Sequence, residues 1–109
     1  MAKASILITG APGGTQGATA AKIVEILLQA GVSVAALVRS HDHRSKRLAD
    51  LGAEIVLGDL LNLQDIINAT EDREAVFFCY PERPGLLEAS SIMAYAAWQA
   101  NLKIVVNLS

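Results

Sequence analysis

The sequence has little of several things that would assign it quickly. It has a single cysteine, Cys79, in 109 residues. No internal disulfide can form, which excludes a disulfide-stapled secreted scaffold and makes a reduced, cytoplasmic setting the default expectation. Charge is scarce at 18% and nearly balanced, with a net value of −2. No basic block occurs, so direct nucleic-acid binding is not expected. No apolar run approaches the length of a membrane span, so no membrane partner is expected. The N-terminus lacks the cationic, apolar, small-residue order of a signal peptide and goes almost at once into a strand-like run. There is no linker, internal repeat or low-complexity segment. Hydrophobic residues, by contrast, make up 52%, which excludes a disordered chain.

Length points to one domain over residues 1–109. Five runs read as strands: Ala4 to Thr9, Val32 to Val38, Glu54 to Gly58, Ala75 to Tyr80 and Lys103 to Leu108. They are nearly continuous in apolar residues, as parallel strands buried on both faces should be. Between them lie four helical stretches. Gln16 to Ala30 carries Ala20, Ile23, Val24, Leu27 and Leu28 at helical spacing and stops at Gly31. His43 to Leu51 is short and polar and stops at Gly52. Asn62 to Ala69 has an N-cap asparagine with Asp65 in its first turn. Leu86 to Ala100 offers Leu87, Met93, Ala96, Ala97 and Ala100 for packing, and Asn101 is suited to cap its end. The alternation predicts an α/β fold, a doubly wound parallel (Rossmann) sheet of order 3-2-1-4-5. A sheet covered on both faces needs more chain than this to close its core, and sheets of this type usually continue beyond the fifth strand. A truncated piece is therefore the expectation, with an apolar, unblunted edge at the fifth strand that favours self-association.

The stretch "GAPGGTQG" follows the first strand directly. In a doubly wound sheet this turn binds phosphate: Gly10 permits the tight turn, Gly13 lets the backbone approach a pyrophosphate, and the helix N-terminus supplies free N–H groups. Counted from Gly10 and Gly13, a third glycine belongs at position 16. Gln16 stands there and the glycine comes at Gly17, so one extra residue, Gly13 or Gly14, is accommodated in the loop. The simpler reading is a plain turn. A strand before, an amphipathic helix after and further β-α units downstream favour a nucleotide site.

The end of the second strand indicates which nucleotide. An NAD-preferring site places an acid there to hold the ribose 2′-OH. This chain has Arg39, then Ser40, with Arg44, Lys46 and Arg47 following. A cation there pairs with a 2′-phosphate, so NADP(H) is expected over NAD(H). Asp59 and Leu60, in "GDLL", are placed beside an adenine ring, the acid to accept from the exocyclic amine and the leucine to pack on the ring.

Taken in order, "ILITGAPGGTQGATA", "ALVRS", "LGAEIVLGDLLN", "AVFFCYPERPGLLEAS" and "IVVNLS" resemble the NmrA-like group of atypical short-chain dehydrogenases/reductases over essentially the whole chain. The resemblance implies an NAD(P)-binding Rossmann domain. Family members include reductases of quinones and aromatic compounds, and redox sensors that bind the dinucleotide without turning it over. By position it implies Gly10, Ala11, Gly13, Gly14 and Gly17 for the phosphate loop and Thr15 and Gln16 for the pyrophosphate or nicotinamide side. It implies Arg39 for the 2′-phosphate and Asp59 and Leu60 for the adenine. Cys79, Tyr80 and Pro81 lie where the family's loop passes the cofactor ribose, and Asn107 and Ser109 near the nicotinamide. The family's Tyr with a Lys four residues on is absent: Tyr95 has Gln99 at that offset. Catalytic residues are therefore not assigned, and two functions stand: an NADPH-dependent reductase of a small electrophile such as a quinone, or a non-catalytic sensor or transcriptional regulator.

Other residues read more plainly. His41 and His43 have no third ligand in view, so no metal site is expected. Cys79 suits a small apolar filler at the end of a buried strand. Tyr80 suits a strand-end aromatic under the next loop, Tyr95 and Trp98 suit core or subunit packing, and Glu71, Asp72, Arg73 and Glu74 an exposed turn.

Overall fold

The computed structural model describes residues 4–10, 14–80 and 84–108, with the backbone alone for 14–19 and 108. The elements run β1 (Ile6–Thr9), α1 (Gly14–Gln29), β2 (Val34–Val38), α2 (His43–Leu51), β3 (Glu54–Leu57), α3 (Leu63–Thr70), β4 (Ala75–Cys79), α4 (Leu86–Ala100) and β5 (Ile104–Leu108). All four strand pairings are parallel, and the order is β3-β2-β1-β4-β5. This is the doubly wound Rossmann arrangement expected from the alternation.

The period of two along each strand divides the core into two layers. Leu7, Ala35, Leu37, Val76 and Phe78 face α3 and α4, which contribute Ile66, Ala69, Ala89, Met93 and Ala96. Ile8, Val34, Ala36, Val38 and Cys79 face α1 and α2, which contribute Ala20, Val24 and Leu48. Ile23, Leu27 and Leu28 complete the α1 stripe from half-buried positions.

Local chemistry sets the helix ends. Gly31 and Gly52 have left-handed φ values of 83° and 110°, and Asn101, at 58°, caps α4 in the same region. Asn62 Oδ1 accepts from the Asp65 N–H at 3.0 Å, the expected N-cap of α3. α1 starts at Gly14, two residues before the sequence-based start. Gly14, Thr15, Gln16 and Gly17 thus form its first turn, whose N–H groups have no partner within the helix.

Three expectations are corrected. Strands β3 and β5 are not buried on both faces, because they are the two edges of the sheet: Ile104 is 57% and Val105 47% exposed. On α4, Leu87, Tyr95 and Trp98 lie on the face turned from the sheet, so none of them packs the core, and the two rings meet each other at 6.0 Å between centroids. Arg73 is not in an exposed turn. Its side chain is 2% exposed and reaches under the amino ends of the strands. There Nη1 donates to Ala4 O (2.8 Å), Nε to Ala69 O (2.9 Å) and Nη2 to Glu54 Oε2 (3.1 Å).

Candidate functional site

Because every strand is parallel, the residues that follow β1, β2, β3 and β4 share one edge of the sheet. The strand order reverses between β1 and β4, and ligands of open α/β sheets bind in the crevice outside that point. Gly10 lies on one side of it and Cys79 and Tyr80 on the other.

Gly10 is glycine for two reasons. Its φ of +80° is one that L side chains rarely adopt, and a Cβ built there would stand 2.8 Å from both the Cβ and the carbonyl oxygen of Cys79. The turn out of β1 therefore runs tight against the end of β4. Thr9, fully buried, ties the same two strand ends together: Oγ1 donates to Cys79 O at 3.1 Å and accepts from Cys79 N–H at 2.9 Å. Nothing in the sequence singled out Thr9, which reads as one more β-branched residue of a strand.

Arg39 is the first residue off β2 and is exposed. Among the described residues it forms no ion pair. Of the cations that follow it, Arg44 pairs with Asp42 at 3.2 Å and Lys46 with Asp50 at 3.4 Å, while Arg47, on α2, is exposed and like Arg39 forms no ion pair among the described residues. Asp42 also builds the N-terminus of α2, accepting from the N–H groups of Arg44 (2.9 Å) and Ser45 (3.1 Å), while Ser45 Oγ closes the capping box. The pattern Asp42-x-x-Ser45 was legible as a cap but was not read.

The Ser45 N–H, with the Arg44 side chain next, holds the Asp42 carboxyl below its ordinary value of 3.8. A folded-state value lowered in this way stabilises the fold above the ordinary value, and the contribution is lost as pH falls through the lowered one. The α2 N-terminus should therefore fray in acid. Amide exchange at Arg44 and Ser45 should accelerate there in the wild type but not in Asp42→Asn, whose amide oxygen caps without titrating. Equal acid sensitivity in both proteins would assign the effect elsewhere.

Asp59 follows β3 and is half-buried. Its Oδ1 accepts from Leu61 N–H at 2.9 Å, and its own N–H donates to Asp65 Oδ2 at 3.0 Å, which leaves Oδ2 of Asp59 without a partner among the described residues. Leu60 packs half-buried against the α3/α4 core layer. Tyr80 is 5% exposed, and its hydroxyl donates to Pro84 O at 3.1 Å. It thus lies against Pro84, just before α4. Cys79 is a core residue on the α1/α2 face, and burial pushes its thiol up from 9.0. Both of its backbone polar groups are taken by Thr9, so its part at the crevice is packing. Asn107 is exposed on β5 opposite Phe78. Ala11, Gly13, Pro81 and Ser109 lie outside the described residues, as do the side chains of Thr15 and Gln16.

The structure thus gathers Gly10, the first turn of α1, Arg39, Asp59, Leu60 and Tyr80 along one edge. They offer a tight glycine turn, helix N–H groups with no partner within the helix, a cation without an ion pair among the described residues, and a carboxylate oxygen. That set has the chemistry of a dinucleotide site, with donors and a cation for phosphate oxygens. His41 and His43 are both exposed and flank the capping Asp42. No group of three or more metal-ligating side chains occurs among the described residues, and none of their helices is long and apolar enough to cross a membrane.

Comparison with known proteins agrees with this geometry. A family model described as NAD(P)H-binding matches residues 14–109. A search of curated proteins finds no match. Among solved structures, triphenylmethane reductase of Citrobacter sp., complexed with NADP(H), is similar at 24% identity and a TM-score of 0.75, over 96% of this chain and 37% of that one. NmrA, a negative transcriptional regulator in complex with NAD, is similar at 20% identity and a TM-score of 0.82, over 98% of this chain and 33% of that one. An NADPH-dependent quinone oxidoreductase of Escherichia coli, complexed with NADPH, is similar at 23% identity and a TM-score of 0.75, over 94% and 35%. The chain spans about a third of the length of these structures.

Proposed function

Starting from the fact that the chain belongs to the NAD(P)H-binding family, we propose that it is the NADP(H)-binding part of an oxidoreductase that passes hydride to a small electrophile such as a quinone. The observation that carries the cofactor preference is Arg39. It is the residue at the end of β2, where an acid would select NAD(H), and the only cations near it in sequence with described ion pairs are Arg44 and Lys46. Gly10 and the first turn of α1 would hold the pyrophosphate, with Ala11, Gly13, Gly14, Thr15, Gln16 and Gly17 as its loop. Arg39 would take the 2′-phosphate, and Asp59 and Leu60 the adenine. Cys79, Tyr80 and Pro81 would line the crevice beside the cofactor ribose, with Asn107 toward the nicotinamide side. When bound, the nicotinamide supplies the hydride; the protein's part is to bind and orient it.

Arg39→Asp should lower NADP(H) affinity by about 1.5–3 kcal/mol, the value of a charge-assisted hydrogen bond, and leave NAD(H) affinity little changed or improved. Calorimetric titration of both proteins with both cofactors checks this. Equal affinity of the wild type for the two cofactors would refute the preference.

A second reading, a dinucleotide sensor without turnover, is favoured by the likeness to NmrA, which has the higher TM-score of the structures compared. Steady consumption of NADPH across a panel of quinones separates the two, since a sensor binds the cofactor but does not consume it.

A further inference from the structure

The ladder between β1 and β4 ends in a side chain. Backbone register pairs Ile6, Leu7 and Ile8 with Ala75, Val76 and Phe77. Just beyond it, the Thr9 hydroxyl bonds both the N–H (2.9 Å) and the C=O (3.1 Å) of Cys79. A hydroxyl can do this because it is at once donor and acceptor. The next residue, Gly10, turns sharply with its α-carbon against Cys79. The residue that Thr9 clamps is therefore the wall against which the glycine turn is seated.

We propose that Thr9 is a positioning residue for the pyrophosphate half of the dinucleotide site: its hydroxyl fixes the end of β4 where Gly10 rests, and so sets the start of the phosphate loop. The proposal rests on the dinucleotide reading above. Removing the hydroxyl strips the partners from two polar groups of Cys79 in a place closed to water. The end of β4 then shifts to find others, and Gly10, in contact with it, moves too. A binding constellation tolerates displacements of only about 0.5 Å. The effect is confined to one half of the site. β2, which carries Arg39, is joined to β1 by a ladder that runs in full from Ile6↔Val34 to Thr9↔Leu37.

The test compares wild type, Thr9→Val and Thr9→Ser with two ligands, by calorimetry or NMR titration. NADP+ carries the pyrophosphate; adenosine 2′-monophosphate carries the adenine and 2′-phosphate without it. Thr9→Val should lose about tenfold in NADP+ affinity, the worth of one hydrogen bond, with the affinity for adenosine 2′-monophosphate unchanged. Thr9→Ser should recover most of the loss. An equal fall for both ligands would point to general loosening and overturn the proposal, as would unchanged NADP+ affinity in Thr9→Val. A wild type that binds no NADP+ would overturn the dinucleotide reading itself. A urea transition confirms that each variant is folded; if Thr9→Val is not, Thr9→Cys, with a thiol that donates and accepts only weakly, takes its place in the same comparison.

Discussion

Gly10→Ala should destabilise the fold by about 2–5 kcal/mol, the sum of a left-handed residue with a side chain and an overpacked contact. The two costs are separable because the chain supplies a control. Gly31 has almost the same φ, 83° against 80°, but nothing lies within 4 Å of a Cβ built there. Gly31→Ala should therefore cost only the backbone part, about 1–2 kcal/mol. At Gly10 the added methyl meets Cys79 Cβ and the Cys79 carbonyl oxygen, each at 2.8 Å. Neither is the tip of a flexible side chain, and the Cys79 backbone is held by Thr9. Relief has to come from parting β1 and β4 at the switch point, so dinucleotide binding should be lost as well. Urea unfolding of the two variants beside the wild type measures both costs. Equal destabilisation at the two positions would mean that the strand ends yield and that Gly10 is required for its φ alone.

The site was more legible than its supports. Gly10, Arg39 and Asp59 could be placed because each follows a strand whose apolar run is unmistakable, and a parallel sheet puts such residues on one edge. The central strands were legible for the same reason. Periodicity does not distinguish a central strand from an edge strand, however. The run from Ile104 to Val106 is as apolar as β1, yet it forms an edge; the predicted strand order, not the apolar pattern, marked it as one. Exposure of Leu87 and Trp98 was hidden likewise: α4 is apolar nearly all round, so its stripe does not say which side meets the sheet. Thr9 was invisible because its function depends on Cys79, seventy residues away, and no local pattern marks a hydroxyl that replaces a ladder bond. Cys79 itself was correctly read as a filler from its place at the end of a buried strand.

Arg73 was misread for the opposite reason, since three acidic neighbours made it look like part of a solvated turn. Replacing it should have the other large effect. Arg73→Met keeps much of the apolar stem but removes the guanidinium that binds Ala4 O, Ala69 O and Glu54. The loss should be about 2–6 kcal/mol, the cost of leaving two buried carbonyls without their donor. Most of it should come from the two carbonyls rather than from the ion pair. Glu54 is 42% exposed on its side chain while Arg73 is 2% exposed, so water screens the acid but cannot reach the carbonyl contacts. Glu54→Gln should accordingly cost no more than about 1 kcal/mol, as for an exposed salt bridge. Arg73→Lys should stay close to Arg73→Met, because a single ammonium cannot reproduce a fork aimed at three acceptors. Raising the salt concentration should narrow the difference between wild type and Glu54→Gln but leave the Arg73→Met deficit nearly intact, since buried contacts are screened little. Urea denaturation of the three variants at low and high salt decides the matter. If Glu54→Gln proved as damaging as Arg73→Met, the ion pair would be the fastening and the carbonyls incidental. If instead neither variant moved the transition, the arginine would not be what closes the amino edge of the sheet over β1, β3 and the end of α3.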